Sequence, residues 1–205
     1  MEVGIINYGS GNIGNVTRSL RALNVNYKII NKLSDFKNID KIILPGQGAF
    51  MSAIENLKKS ELYNKIIEHN NDEKPILAIC LGMQLLFSNS DEFVNCEGLK
   101  LLSGEVKKLK VENMPSPIIG WYKISDLNEA NNNPVFNKDC LNKYYYFAHS
   151  MYCLVGEKNA HFTNVQYNGI NIISTVNYNN IYGTQFHPEL SNQNGLTIIN
   201  NFLKL

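Results

Sequence analysis

Two rhythms of apolar residues divide the chain. Up to about Asn89, short apolar runs alternate with stretches at helical spacing. Glu2 to Asn7, Asn26 to Ile30 and Lys41-Ile42-Ile43-Leu44 read as strands, as does the run Ile76-Leu77-Ala78-Ile79 after Pro75. Unbroken apolar runs of this length suit strands buried on both faces of a parallel sheet. Between them, helical patterns run from the Gly9-Ser10-Gly11-Asn12-Ile13-Gly14 segment to about Leu23, from Ala49 to Leu57 and from Ser60 to His69. Ser34 reads as a helix N-cap, and Met83 to Phe87 as the first turns of a further helix. Strand alternating with helix predicts a mostly parallel sheet with helices on both faces.

Beyond Asn89 the rhythm shortens. Leu99 to Lys110, Pro117 to Ile124, Lys143 to Ser150, Ala160 to Tyr167, Ile170 to Asn177 and Ile181 to Phe186 read as strands. Asn168-Gly169 marks a hairpin between two of them. This half is expected to be antiparallel and joined to the edge of the parallel sheet. Ser191 is placed to cap a last helix ending near Leu203. With no repeat or linker in sight, residues 1–205 form one domain in this reading: an α/β fold, an open mixed, mostly parallel sheet flanked by helices, with an antiparallel extension in the C-terminal half.

Composition narrows the field without deciding it. Hydrophobic residues make up 44% and charged residues 18% of 205, as in ordinary globular chains. A formal charge of +1 gives no electrostatic case for nucleic acid or membrane binding. The start shows no basic region followed by a long apolar run, and no transmembrane stretch is visible, so a cytoplasmic location is expected. The cysteines, Cys80, Cys96, Cys140 and Cys153, show neither CxxC spacing nor a histidine at ligand spacing, so no metal and no disulfide framework is expected.

The chemistry gathers at three strand ends. Ala78-Ile79-Cys80-Leu81-Gly82 is a nucleophile elbow with sulfur in place of oxygen. A sharp turn there lifts Cys80 out of the sheet, and the following helix start offers free N–H groups and a dipole that favours the thiolate. The alternative is a buried structural cysteine. Pro45-Gly46-Gln47-Gly48 closes the preceding strand, at the end where such sheets bind ligands. The last strand ends His187-Pro188-Glu189. Residues i and i+2 of extended chain share a face, which suits a base and its orienting carboxylate, and Pro188 stiffens the pair. The match of Gly9 to Gly14 to a dinucleotide fingerprint is rejected, because Asn31 stands where the ribose-binding acid belongs and Asp35 lies beyond Ser34. Those glycines serve a tight turn or a partner surface.

Several blocks then carry a resemblance that spans nearly the whole chain: Asn7 to Asn12, Leu44 to Phe50, Cys80 to Phe87, Glu97-Gly98-Leu99, Gly120-Trp121, Tyr146 to Ser150 and Gln185 to Glu189. The chain resembles the triad-type class I glutamine amidotransferases, flavodoxin-like in fold, and within them the glutaminase subunits of imidazole glycerol phosphate synthase. The resemblance implies that the Cys80 thiolate attacks the side-chain amide of glutamine, that His187 shuttles the proton and that Glu189 fixes the His187 tautomer. The oxyanion would meet Leu81 N–H and a backbone N–H of the Gly46-Gln47-Gly48 loop, here Gln47 or Gly48. Gly48, Gln84, His149 and Ser150 would line the glutamine pocket, with a packed core histidine as the alternative for His149. His69 and His161 are taken as packed or solvated.

No cofactor is implied. The partner implied is a (β/α)8-barrel cyclase that receives ammonia through a tunnel in histidine biosynthesis and switches the glutaminase on. Asn12, Trp121 and Tyr146 would face it, although Trp121 and the run Tyr144 to Tyr146 also suit a core. The chain departs from the family at Asn7, Ala78, Ile119, Tyr122 and Leu190. These departures keep one alternative open, a paralogue that supplies ammonia to another synthase, for instance one amidinating a sugar; a further alternative, an idle scaffold subunit, is opposed by the intact Cys80, His187 and Glu189.

Overall fold

A computed structural model describes residues 1–92, 95–109, 116–126 and 133–205. In chain order the strands are β1 (Val3–Ile6), β2 (Tyr27–Ile30), β3 (Lys41–Leu44), β4 (Ile76–Ile79), β5 (Phe87–Ser90), β6 (Cys96–Glu97), β7 (Leu102–Lys108), β8 (Ile118–Asp126), β9 (Tyr144–His149), β10 (Met151–Val155), β11 (His161–Tyr167), β12 (Ile170–Tyr178) and β13 (Ile181–Thr184). The helices are α1 (Ile13–Ala22), α2 (Phe50–Lys59), α3 (Leu62–Asn71), α4 (Leu81–Leu85) and α5 (Asn192–Leu203).

Among the described residues one nine-stranded sheet runs in the order β2-β1-β3-β4-β13-β12-β11-β8-β9. The pairs from β2 to β13 are parallel, and those from β13 to β9 are antiparallel. The antiparallel extension therefore grows from β13, as the sequence predicts. The apolar runs are sorted by the two-residue period of a strand. Ile6, Ile42, Leu44, Ile76 and Ala78 enter one core, with Phe50, Ala53, Ile54 and Leu57 of α2 and Leu62 and Ile66 of α3. Val3, Ile5, Ile43, Leu77 and Ile79 enter the other, with Val16 and Leu20 of α1 and Ile198, Ile199 and Phe202 of α5. Hence the first strands read as unbroken apolar runs: both faces are covered.

This topology positions the chemistry. β3, β4 and β13 are neighbours and parallel, with Leu44 opposite Ala78 and Ala78 opposite Gly183. The segments that follow them, Pro45 to Gly48, Cys80 and His187, leave the sheet at the same edge.

The structure corrects several local expectations. The helix after Cys80 stops at Leu85, and Phe87 opens a strand. Its end is captured from outside, for Leu85 C=O accepts from Leu99 N–H (2.7 Å) and Leu86 C=O from Leu101 and Leu102 N–H. β5, β6, β7 and β10 form a second sheet of four strands that the sequence pattern did not announce. The strand expected over Leu99 to Lys110 is Leu102–Lys108, and Lys110 lies outside the described residues. Ser34 does not cap a helix but sits inside a single 3-10 turn, Leu33–Phe36. Asp35 closes that turn by accepting from Asn31 and Lys32 N–H at 3.0 and 3.2 Å, and the Asn31 bond is the first cause holding its carboxyl below the usual range. Ser191 occupies the N-cap position of α5, yet its hydroxyl points elsewhere, as described below. The Asn168-Gly169 hairpin is as expected, both residues having the positive φ of a two-residue turn (48° and 79°).

Candidate active site

Cys80 sits at the elbow with φ 54° and ψ −110°, a conformation that ordinary side chains avoid. The strain is held by neighbours: Cys80 N–H donates to Thr184 C=O at 2.7 Å, and Cys80 C=O accepts from Gln84 N–H at 3.2 Å. Leu81 is the first residue of α4, so its N–H has no acceptor within the helix.

The Pro45 to Gly48 loop lies directly on this turn. A Cβ on Gly82 would fall 2.0 Å from Leu44 C=O, so the elbow tolerates only glycine there. Ala78 lies inside the sheet with its methyl buried in the core. Gly48 has φ +105° and open space around it. Gly11, also at φ +105°, packs its α-carbon against Pro45 and Gly46, and Tyr8 donates its hydroxyl proton to Pro45 C=O at 2.8 Å. The glycine-rich segment after β1 thus buttresses this loop, and Asn7 links to Asn31 at 2.8 Å.

His187 follows β13 with extended backbone, and its N–H donates to Tyr146 C=O at 2.9 Å. Its Nδ1 lies 2.8 Å from Glu189 Oε1. The sequence placed Glu189 on extended chain. It lies instead in a 3-10 turn, Pro188–Leu190, which folds the carboxylate back onto the ring. Burial alone would discharge this imidazolium. The nearby Cys80 sulfur and the Glu189 carboxylate outweigh it and raise the His187 pKa. Ser191 Oγ–H donates to His187 C=O at 2.6 Å while its oxygen accepts from Tyr146 N–H at 2.9 Å, so it staples the His187 turn to β9.

A cavity of about 160 Å³ opens between these segments, with Gln47, Gly48, Cys80, Leu81, Gln84, His149, Ser150 and His187 on its wall. It is far smaller than drug-sized pockets and suits one small amino acid. Glu189 stands behind His187. Four wall residues escaped the sequence reading: Glu92, Pro117, Ala148 and Met151. Glu92 is the cavity's one carboxylate among the described residues, and its Oε2 accepts Phe50 N–H at 2.7 Å. Nothing in its sequence context separates it from a surface acid.

His149 is buried, and both readings of it meet: it is packed, and it lines the cavity. Its Nδ1 lies 2.7 Å from Met151 C=O, and a carbonyl only accepts, so Nδ1 carries the proton. Nε2 is left as a buried lone pair with no partner among the described residues. Burial lowers its pKa to about 4. His69 is packed edge-on against Phe36, and His161 is exposed.

Strand alternation decides the aromatic run. Tyr145 is core, stacked on Phe186 at 4.2 Å. Tyr144 is exposed and Tyr146 half-buried, in edge contact with the exposed Trp121. On β8, Ile119 and Trp121 point outward, whereas Tyr122 turns inward between Phe147 and Tyr167. Asn12 is exposed and caps α1 by accepting Asn15 N–H at 3.2 Å.

Compared with known proteins, residues 4–205 match the family model for glutamine amidotransferase class-I. The chain belongs to that family. Proteins similar to it include the imidazole glycerol phosphate synthase subunits HisH of Bacillus subtilis, 36% identical over 99% of this chain and 96% of that one, and of Caldanaerobacter subterraneus subsp. tengcongensis, 38% identical over 98% and 96%. The solved structure of a putative GMP synthase subunit from Thermoplasma acidophilum shares the fold, with a TM-score of 0.74 at 22% identity over 100% of this chain and 92% of that one. A glutamine amidotransferase from Thermotoga maritima does so at 0.68 and 18%, over 100% and 83%. This amidotransferase chain is therefore a glutamine-hydrolysing enzyme. None of its helices among the described residues is long and apolar enough to cross a membrane.

Proposed function

We propose that the chain is the glutaminase subunit of an imidazole glycerol phosphate synthase, working through a Cys80–His187–Glu189 triad. The observation that carries the chemistry is the meeting of Cys80 with the distant His187-Pro188-Glu189 segment at the ends of two adjacent parallel strands, Cys80 and His187 sharing one cavity wall. Full-length similarity to synthase subunits supports the pathway.

In this reading glutamine enters the cavity with its α-ammonium toward Glu92 and its amide toward Cys80. The sulfur attacks the amide carbon, a C–S bond forms and the carbonyl electron pair moves to oxygen. Leu81 N–H and a backbone N–H of Gln47 or Gly48 receive that oxyanion. The tetrahedral species collapses, and His187 passes its proton to the departing ammonia. His187 then takes a proton from water as it attacks the thioester, and glutamate leaves. Glu189 holds Nδ1 protonated, so that Nε2 does the shuttling. The neutral His149, on the cavity wall and with no partner for its buried Nε2 among the described residues, is assigned to accept an N–H of the substrate amide.

Ammonia then passes to a (β/α)8-barrel cyclase. The outward Ile119, Trp121 and Tyr144, with the half-buried Tyr146 beside His187, form the apolar patch offered to it, and the exposed Asn12 is assigned to the same interface. The test uses the chain bound to its synthase partner. Cys80→Ala should abolish glutamine-dependent synthesis and leave ammonia-dependent synthesis intact. Loss of both together contradicts channelling, and an aminated product other than imidazole glycerol phosphate assigns the chain to a different synthase.

A further inference from the structure

We propose that Gln185 is a positioning residue for the nucleophile: its buried carboxamide directs an N–H at the Cys80 sulfur from beneath. The proposal rests on the reading of Cys80 as nucleophile and adds a residue that this reading does not require.

The orientation of the amide follows from one fixed point. Met151 C=O can only accept, and Gln84 Nε2 lies 3.3 Å from it, so that atom of Gln84 is the nitrogen. The same Nε2 is 3.2 Å from the Gln185 side chain, whose facing atom must be the oxygen. A second donor agrees. The Cys153 thiol points at that oxygen from 4.0 Å, and burial pushes its pKa up, so it stays a thiol. The remaining Gln185 group is the NH₂, and it faces Cys80 Sγ at 3.8 Å. The backbone is fixed as well, for Gln185 N–H donates to Ser174 C=O at 2.8 Å.

Two consequences follow. Gln185 is 0% exposed and is not part of the cavity wall, so it reaches the sulfur without touching glutamine. And because it offers a donor, it cannot take the Cys80 proton; that proton is left to His187. The N–H is strongest when the sulfur carries charge. That is the case before attack, and again when the C–S bond breaks and the electron pair returns to sulfur during hydrolysis of the thioester.

The experiment measures steady-state glutaminase kinetics with the synthase partner bound, together with the rate at which iodoacetamide alkylates Cys80, mapped by peptide mass spectrometry. Gln185→Met keeps the volume and removes the donor. It should lower kcat at least tenfold, leave KM for glutamine within twofold, and slow Cys80 alkylation in parallel. A role confined to holding Gln84 would instead raise KM and spare both kcat and alkylation. That result, or a kcat within twofold of the unaltered chain, overturns the proposal. Should Gln185→Met not fold by circular dichroism, Gln185→Leu, a second uncharged side chain without a donor, takes its place. The same tenfold loss at pH 8 is expected, and activity within twofold is contradictory. If Cys80→Ala still hydrolyses glutamine, the nucleophile reading itself fails. If Cys80→Ala is inactive and Gln185→Met is not, only this proposal does.

Discussion

A Cβ on Gly46 would lie 2.3 Å from the backbone nitrogen of Gly82, so the Pro45 to Gly48 loop and the elbow touch through two bare backbones. No flexible side chain there can yield. Gly46→Ala must push the loop away from Cys80 and is expected to cost about 3 kcal/mol, the upper end of overpacking effects. Urea denaturation measures this cost. Gly48→Ala is the contrast: space is open there, but φ is +105°, so stability should fall by only about 1 kcal/mol while kcat suffers.

Glu189 touches His187 and not the cavity wall. Glu189→Gln keeps the shape and removes the charge that helps keep the imidazole protonated. We expect kcat for glutamine to fall by roughly 10² to 10⁴ with KM nearly unchanged, the scale seen when a triad carboxylate is made neutral. A parallel rise in KM would mean that the residue shapes the pocket instead.

Much of this site was legible because its pieces are local. A strand, a turn and a helix start draw attention to Cys80, and His187-Pro188-Glu189, a weak signal alone, gains weight beside that elbow and the Pro45 to Gly48 loop. What escaped depends on packing between distant segments. Phe87 carries helical spacing, yet Leu99, Leu101 and Leu102 take the carbonyls that a longer helix would need. Ser191 has the identity and position of a cap, but the nearest demand for its hydroxyl is the His187 turn. Glu92 and Gln185 look like a surface acid and one motif letter until the fold sets one on the cavity wall and the other under the sulfur.

Two buried histidines set a stability slope. Burial lowers the pKa of His69 and of His149 to about 4, below the 6.5 of an exposed imidazole. Between these values the unfolded chain binds more protons than the folded one, so stability falls as pH falls. It is fully present above about pH 6.5 and lost progressively toward pH 4. Each residue should contribute about 2 kcal/mol to the loss between pH 7 and pH 5. Denaturation at both pH values checks this: His69→Gln should remove about half of this loss, while the raised His187 pKa works in the opposite sense.

Trp121 is 45% exposed and rests edge-on against Tyr146, whose backbone holds both His187 and Ser191. Trp121→Ala should leave the melting temperature of the isolated chain within a few degrees and weaken binding to the synthase partner by about 2 kcal/mol, as loss of an aromatic anchor does. Isothermal titration separates the two effects.

A chloroketone analogue of glutamine tests the central claim most directly, with the modified peptide located by mass spectrometry in the partner-bound chain. One adduct on Cys80, suppressed by excess glutamine and by His187→Ala, is the predicted result. An unmodified Cys80, or label on Cys96, Cys140 or Cys153 instead, contradicts it.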